Sequence, residues 1–136
     1  MIRHMQESDF DECIRVAKLK YAKQHPRIDH DGMWQFLDQA SQGEQYLLLT
    51  GRNVFFCAGA TRSFIEPEIV VGALWVFTRQ TDPAEFVSVI RVMESWATDL
   101  GAIECGFGNI SDKDFTRVAA RLGYKPSAQY FSKGLR

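Results

Sequence analysis

The apolar residues near the amino terminus recur at helical spacing in two successive segments. A short opening strand ends near residue 6, and Ser8–Asp11 has the pattern of a capping box at the start of a helix over 9–23. A second helix is predicted to begin at Asp29 or Asp31 and to end at Gly43. The apolar stripes of the two helices are Phe10, Cys13, Ile14, Ala17 and Tyr21, and Met33, Phe36, Leu37 and Ala40.

The middle of the chain changes from helical spacing to segments rich in β-branched and aromatic residues. These segments are Gln45–Thr50, Asn53–Thr61 and Ile69–Arg79. Turn-forming residues separate them at Gly51–Asn53 and again at Ser63–Glu68. The pattern predicts three successive antiparallel strands.

The last third of the chain alternates helix and strand. Asp82-Pro83-Ala84-Glu85 combines an N-cap, a proline at the first helical position and a glutamate three residues after the cap, and this helix ends at Gly101. A strand over Ala102–Phe107, a helix from Ser111 to Gly123 and a strand over Ser127–Leu135 follow. The order β–α–α–β–β–β–α–β–α–β predicts an α/β (α+β) sandwich, with about four helices against a mixed, mainly antiparallel sheet.

Composition narrows the class of protein. A chain of 136 residues with 46% hydrophobic residues predicts one domain over 1–136 with an ample core. A net charge of −1 argues against a nucleic-acid binder, and the longest apolar run, Ile69–Phe77, is too short to span a membrane. No signal peptide is recognisable at the amino terminus, so a cytoplasmic location is expected. Cys13, Cys57 and Cys105 are widely spaced at apolar positions and are predicted to be buried, inert thiols.

Several short motifs together resemble the GCN5-related N-acetyltransferase (GNAT) superfamily over most of the chain. The element order matches that family, and each motif falls at the expected spacing. The motifs are Ile2-Arg3 with Ser8–Asp11, Leu74-Trp75-Val76, Trp96-Ala97 with Gly101-Ala102, and Leu122–Tyr124 with Tyr130–Leu135.

The resemblance implies an acetyl-CoA site in a V-shaped groove beside the fourth strand. The groove is expected between Val76–Thr78 and Cys105–Phe107. In the family, a loop with the pattern Gln/Arg-x-x-Gly-x-Gly/Ala holds the pyrophosphate at the start of the next helix. The residues that the resemblance assigns to the cofactor are Val76, Phe77, Thr78, Arg79, Thr81, Ala84 and Asn109.

The pyrophosphate loop itself departs from the family pattern. Its three signature positions fall on Thr81, Ala84 and Phe86, so both glycines are absent and a bulky ring takes the place of the second. Asp82 is expected to accept from the amides two and three residues on, which a phosphate would otherwise use. Asp82 and Glu85 also place negative charge where the phosphate would lie. Acetyl-CoA is therefore expected to bind weakly or not at all.

Catalytic residues are assigned by the same resemblance. The family's usual general acid, a tyrosine on the last helix, corresponds here to Ala119, which leaves Tyr130 or Tyr124 as the acid unless both are structural aromatics. Acylation of an amine also needs a base, and Glu66 and Glu68 are the candidates beside the splayed strand unless both are solvated turn residues.

Two functions of different classes follow from the resemblance. The first is an N-acetyltransferase that moves an acyl group from acyl-CoA to an amine. The second is a non-catalytic GNAT-fold structural or binding protein, a kind that occurs among tailed-phage proteins, and a virion-associated location is expected if this one is phage-encoded. An amine acceptor or a protein partner is expected, with a homodimer possible. The cluster of His25, Asp29, His30 and Asp31 is interpreted as a helix start, and no metal is expected.

Overall fold

A computed structural model of the chain describes residues 1–22, 27–62, 67–108, 116–127 and 133–135. A single turn of 3₁₀ helix, Glu7–Asp9, precedes the first α-helix. The strands and α-helices follow in the order β1 Arg3–His4, α1 Phe10–Tyr21, α2 His30–Gln42, β2 Tyr46–Thr50, β3 Val54–Arg62, β4 Ile69–Thr78, α3 Pro83–Asp99, β5 Glu104–Gly106 and α4 Thr116–Arg121.

The described strands form one five-stranded sheet in sequence order, β1-β2-β3-β4-β5. The first four strands pair antiparallel, and β5 lies parallel to β4 because α3 crosses over between them. A β-bulge interrupts β4, since Cys57 of β3 pairs with Trp75 whereas the next residue, Ala58, pairs with Ala73. The extra residue is Leu74, and a bulge of this kind bends its strand and increases the local twist.

Helices cover both faces of the sheet, and side chains that alternate along the strands supply one core on each face. Leu48 of β2, Phe55 of β3 and Phe77 of β4 pack against α1 and α2. Leu49 and Phe56, their neighbours in sequence, pack on the opposite face. The α3 side of that second core consists of Phe86, Val89, Ile90, Met93 and Ala97.

The predicted fold class is confirmed, and most element boundaries agree within a few residues. The helix α1 begins one residue after its predicted start, but the capping box was placed wrongly at Ser8–Asp11. The box is formed by Gln6 and Asp9 around the 3₁₀ turn, where the Asp9 carboxylate accepts from the Gln6 amide at 2.8 Å. Residues 128–132 of the predicted closing strand and the start of the last predicted helix lie outside the described residues. No helix in the described part of the chain is long and apolar enough to cross a bilayer.

Candidate functional site

A cleft opens where β4 and β5 separate. The two strands pair at Val70–Glu104, Val71–Cys105 and Gly72–Gly106, and no further pair occurs between them in the described residues. The cleft has a volume of about 540 Å³. It is lined by Gly72, Ala73, Cys105, Gly106, Phe107, Gly108, Thr116, Ala119, Ala120, Tyr124, Lys125, Pro126 and Ser127. The strands thus separate earlier than predicted, and Cys105 belongs to their paired part.

The bulge in β4 lies just beyond the last pair with β5. Past the bulge, the Arg79 amide donates to the Asn53 carbonyl at 2.8 Å. This hydrogen bond shows which residues of β4 direct their backbone amides toward β3. Because successive residues of a strand alternate in direction, the amides of Val76 and Thr78 point away from β3, toward the side of β5. The Thr78 amide donates to the Tyr21 hydroxyl at 3.1 Å, so α1 occupies that position. Val76 therefore offers a backbone edge that β5 does not pair with in the described part of the chain.

A row of aromatic rings connects the start of α3 to the cleft wall. Phe86 packs edge-on to Phe107 with 5.6 Å between the ring centroids, and Phe107 packs against Tyr124 at 4.8 Å. Phe86 is 7% exposed and belongs to the core on the α3 face. Its ring was expected to fill the approach to the loop, but it packs into the core below the cleft.

The Tyr124 hydroxyl lies at the cleft wall and has two polar neighbours. It donates to a Glu94 carboxylate oxygen at 3.0 Å and lies 3.4 Å from the Cys105 sulfur. Burial, followed by the hydrogen bonds with Cys105 and Glu94, raises the pKa of Tyr124, so the phenol keeps its proton at neutral pH. Ala119, where the family has its tyrosine, also lines the cleft but supplies no proton donor.

Asp82 caps α3 as predicted, although one of the two expected amides is not involved. Its carboxylate accepts from the Glu85 amide at 3.1 Å and from the Asn53 side-chain amide at 3.1 Å, and not from Ala84. The Phe86 amide donates to the Asp82 carbonyl at 3.0 Å. The hydrogen bonds from Asn53 and Glu85, together with the nearby Arg52 guanidinium, lower the pKa of Asp82.

Glu85 has a role that the sequence reasoning missed. It is 9% exposed, and its carboxylate accepts from the backbone amides of Asn53 at 2.7 Å and Arg52 at 2.9 Å. The start of α3 is thereby held to the turn between β2 and β3. The sequence signal was a glutamate at the third helical position, and that position alone indicated only a local cap.

Arg79, predicted as a phosphate contact, is engaged by the protein itself. Its guanidinium donates to the Arg52 carbonyl at 2.7 Å and to the Glu12 carboxylate at 3.4 Å. It also lies 4.8 Å from the centre of the Phe55 ring, within the range of a cation–π contact. These contacts direct Arg79 toward β3 and α1 and leave it poorly placed to bind a phosphate at α3.

The other predicted site residues are dispersed. Val76 and Phe77 are buried in the cores on opposite faces of the sheet, and the Thr78 hydroxyl lies 3.3 Å from that of Tyr21. Thr81 and Ala84 are exposed at the start of α3, and Glu68 is exposed just before β4. Glu66, Asn109 and Tyr130 lie outside the described residues, so their roles stay predictions.

Neither a protein-family model nor a curated protein matches this sequence. Solved structures do match the fold. A transcriptional regulator from Bacillus halodurans C-125 has a TM-score of 0.81 at 13% identity, over 99% of both chains. AAC(6′)-Iy in complex with a CoA-containing bisubstrate analogue has a TM-score of 0.72 at 17% identity, over 100% of this chain and 97% of that one.

A GNAT family acetyltransferase from Staphylococcus aureus is similar over 99% of this chain and 98% of its own, with a TM-score of 0.68 at 13% identity. At identities this low, the likeness concerns the fold. The chain has the GNAT fold, as the resemblance predicted.

Proposed function

We propose that this protein transfers an acyl group from a pantetheine thioester, such as that of acetyl-CoA, to an amine in the cleft between β4 and β5. The observation that carries the proposal is the separation of these strands after Gly72 and Gly106. The volume of this cleft, about 540 Å³, lies in the range of small-molecule sites, roughly 300–1,000 Å³. A protein of the same fold, AAC(6′)-Iy, has been solved with a CoA-containing bisubstrate analogue.

A bound acyl thioester would supply an activated acyl carbon. The amine nitrogen forms a bond to that carbon and gives up a proton to a carboxylate, for which Glu68 and Glu66 are the proposed bases. The carbon–sulfur bond breaks, and the sulfur leaves as a thiolate. The side of Val76 that faces away from β3 has no strand partner among the described residues and is suited to hold the donor as an extended chain beside β4. Tyr124 lies in the cleft wall, and its hydroxyl would stabilise the departing thiolate by turning its hydrogen bond from Glu94 to the sulfur. Glu68, with Glu66 and Tyr130, remains the proposed source of further acid–base chemistry.

The residues at the start of α3 do not fit the diphosphate of CoA. The Glu85 amide already donates to the Asp82 carboxylate, proline at position 83 has no amide hydrogen, and that carboxylate carries negative charge where the diphosphate would lie. No step of the proposed reaction is therefore assigned to this loop.

A second candidate function is a non-catalytic binding protein of the same fold. The specific observation in its favour is Ala119, which lines the cleft where a catalytic tyrosine is expected. The similar chain from Bacillus halodurans is named a transcriptional regulator, which is also consistent with a role other than catalysis.

Acyl transfer is tested by release of free thiol from acetyl-CoA and from S-acetyl-pantetheine in the presence of a panel of amines. We expect amine-dependent release by the wild-type chain and a loss of about tenfold or more in kcat for Tyr124→Phe. Tyr46→Phe is the matched control, because Tyr46 packs against Phe36 away from the cleft. Thioester binding without amine-dependent release would favour the second candidate, whereas absence of binding would contradict the thioester site.

A further inference from the structure

We infer that this site recognises its donor through the acyl group and the pantetheine arm, and not through the nucleotide diphosphate. The substrate class is thus an acyl-pantetheine thioester, whether free or as part of a larger carrier. This inference rests on the proposed function and names the portion of the donor that the cleft binds.

The amides at the start of α3 are poorly suited to bind a phosphate. A helix amino terminus binds a phosphate through backbone amides that have no partner within the helix. The amides without an intrahelical partner at this helix start are those of residues 82–85. Pro83 has no amide hydrogen, and the Glu85 amide donates to the Asp82 side chain, which leaves the amides of Asp82 and Ala84 without an acceptor in the described part of the chain.

The amides of the adjacent turn between β2 and β3 also have acceptors within the protein. Its amides, at Arg52 and Asn53, donate to the two oxygens of the Glu85 carboxylate at 2.9 and 2.7 Å. The Asn53 side chain donates to Asp82 at 3.1 Å. The carboxylates of Asp82 and Glu85 thus take up the amides of Arg52, Asn53 and Glu85, and both carry the same sign of charge as a diphosphate.

Arginine side chains supply positive charge near the start of α3. Arg79 is held by the Arg52 carbonyl and Glu12, and it lies over the Phe55 ring. Arg52 lies close to Asp82 and contributes to lowering the pKa of that carboxyl. The Arg79 guanidinium already faces the Glu12 carboxylate, so its charge is not available to a ligand without breaking that contact. Arg52 is exposed, and the negative charge of Asp82 lies near its guanidinium.

The cleft differs from the start of α3 because its described lining is almost uncharged. Its described lining consists of small, aromatic and hydroxyl-bearing residues, and Lys125 is the one charged residue among them. An acyl-pantetheine arm is uncharged, with two amides and a thioester along a flexible chain. The cleft therefore matches the arm, whereas the loop does not match the diphosphate.

The inference is tested by calorimetry with acetyl-CoA and S-acetyl-pantetheine at two salt concentrations, about 50 and about 300 mM. We expect dissociation constants within about threefold of each other, and no weakening of acetyl-CoA binding at the higher salt concentration, because the diphosphate adds no favourable contact. Acetyl-CoA binding more than about thirtyfold tighter than S-acetyl-pantetheine would overturn the inference and leave the proposed function intact. Binding of neither thioester would overturn both.

Asp82→Asn is the informative variant because asparagine is as good an N-cap as aspartate but carries no charge. We expect this change to tighten acetyl-CoA by about threefold and to leave the dissociation constant of S-acetyl-pantetheine unchanged. Asp99→Asn is the matched control, since Asp99 lies exposed at the other end of α3. Unchanged or weaker acetyl-CoA binding by Asp82→Asn would contradict the inference that the Asp82 carboxylate opposes a diphosphate.

Discussion

Glu85 joins two elements that are distant in sequence, and the absence of a side chain at Gly51 gives it room. A Cβ atom at Gly51 would lie 2.6 Å from the Glu85 carboxyl carbon and 2.8 Å from the end of Ile2. Such distances are shorter than van der Waals contact, so a larger residue there must displace the carboxylate. The displaced carboxylate would leave the amides of Arg52 and Asn53 without their acceptor.

A double-mutant cycle on Gly51 and Glu85 tests this arrangement. We expect Gly51→Ala to lower the free energy of unfolding by about 1–3 kcal/mol through overpacking, and Glu85→Ala to lower it by about 1–3 kcal/mol through loss of the acceptor. The double variant should lose less than the sum, because removal of the carboxylate makes room for the new methyl group. Urea unfolding measures all three values. Gly43→Ala is the control, since its Cβ would be 3.9 Å from the nearest atom, and strict additivity would contradict the proposed contact.

Single residues were predicted well where their role is local and poorly where it is not. Asp82 was identified as a cap because its partner amide is three residues away. Glu85 was interpreted as part of the same local signal, but its carboxylate accepts from residues 32 and 33 positions earlier. Arg79 was predicted to contact a phosphate because the residues that it contacts in the fold, Glu12 and Phe55, are distant from it in the sequence.

At the scale of elements, the start of α3 links helix stability to ligand binding. We expect Asp82→Ala to destabilise the protein by about 1 kcal/mol, because the Glu85 amide loses its acceptor. Thermal melts check this, with Asp82→Asn as the variant that keeps the cap and should melt near the wild-type temperature. An unchanged melting temperature for Asp82→Ala, together with reduced acyl transfer, would show that Asp82 serves the reaction and not the helix.

The contact between α1 and α2 includes a histidine whose protonation affects stability. His30, at the start of α2, lies 3.1 Å from the Asp11 carboxylate on α1 and 3.3 Å from Asp31. Hydrogen bonds with Asp31 and Asp11 raise the pKa of His30, so the folded state binds the proton more tightly than the unfolded state does. The resulting stability is present in full below the unfolded pKa of about 6.5 and is lost as the pH rises through the higher folded value.

The melting temperature of the wild-type chain should therefore fall slightly between about pH 6 and about pH 8, by an amount that His30→Gln removes. The effect should be small, because the His30 side chain is 48% exposed and the ion pairs are screened by solvent. His4→Gln is the control for the loss of a histidine elsewhere. The same pH dependence in His30→Gln would assign it to other groups.

The types of the elements were predictable because their sequence signals are local. The residue at which β4 and β5 separate was not predictable in this way. Periodicity identified α1, α2 and α3 and the three central strands, since each buries one face against the same sheet. The resemblance implied that β4 and β5 separate, but the point of separation depends on the bulge at Leu74. A bulge depends on how two strands pair, and the sequence of β4 alone does not encode its partner's register.

The arrangement of the whole molecule predicts a gradient of stability across the sheet. β3 is paired on both sides and buried between the two cores, whereas β5 has three residue pairs with β4. Amide hydrogen exchange should therefore be slowest in β3, at Phe55–Ala58, and faster by orders of magnitude in Glu104–Gly106. Binding of S-acetyl-pantetheine should slow exchange at β5 and its neighbours that line the cleft.

The same experiment locates the bound donor within the fold. Acetyl-CoA should protect the β5 region to the same extent as S-acetyl-pantetheine and add no protection at Pro83–Phe86, because the amides of Glu85 and Phe86 are already hydrogen bonded to Asp82. Exchange in α1 serves as the internal reference, since this helix lies on the other face of the sheet from α3. Protection by acetyl-CoA that begins at the start of α3 and is absent with S-acetyl-pantetheine would mean that the diphosphate displaces the Asp82 cap, and the donor would then be held in the manner usual for this fold.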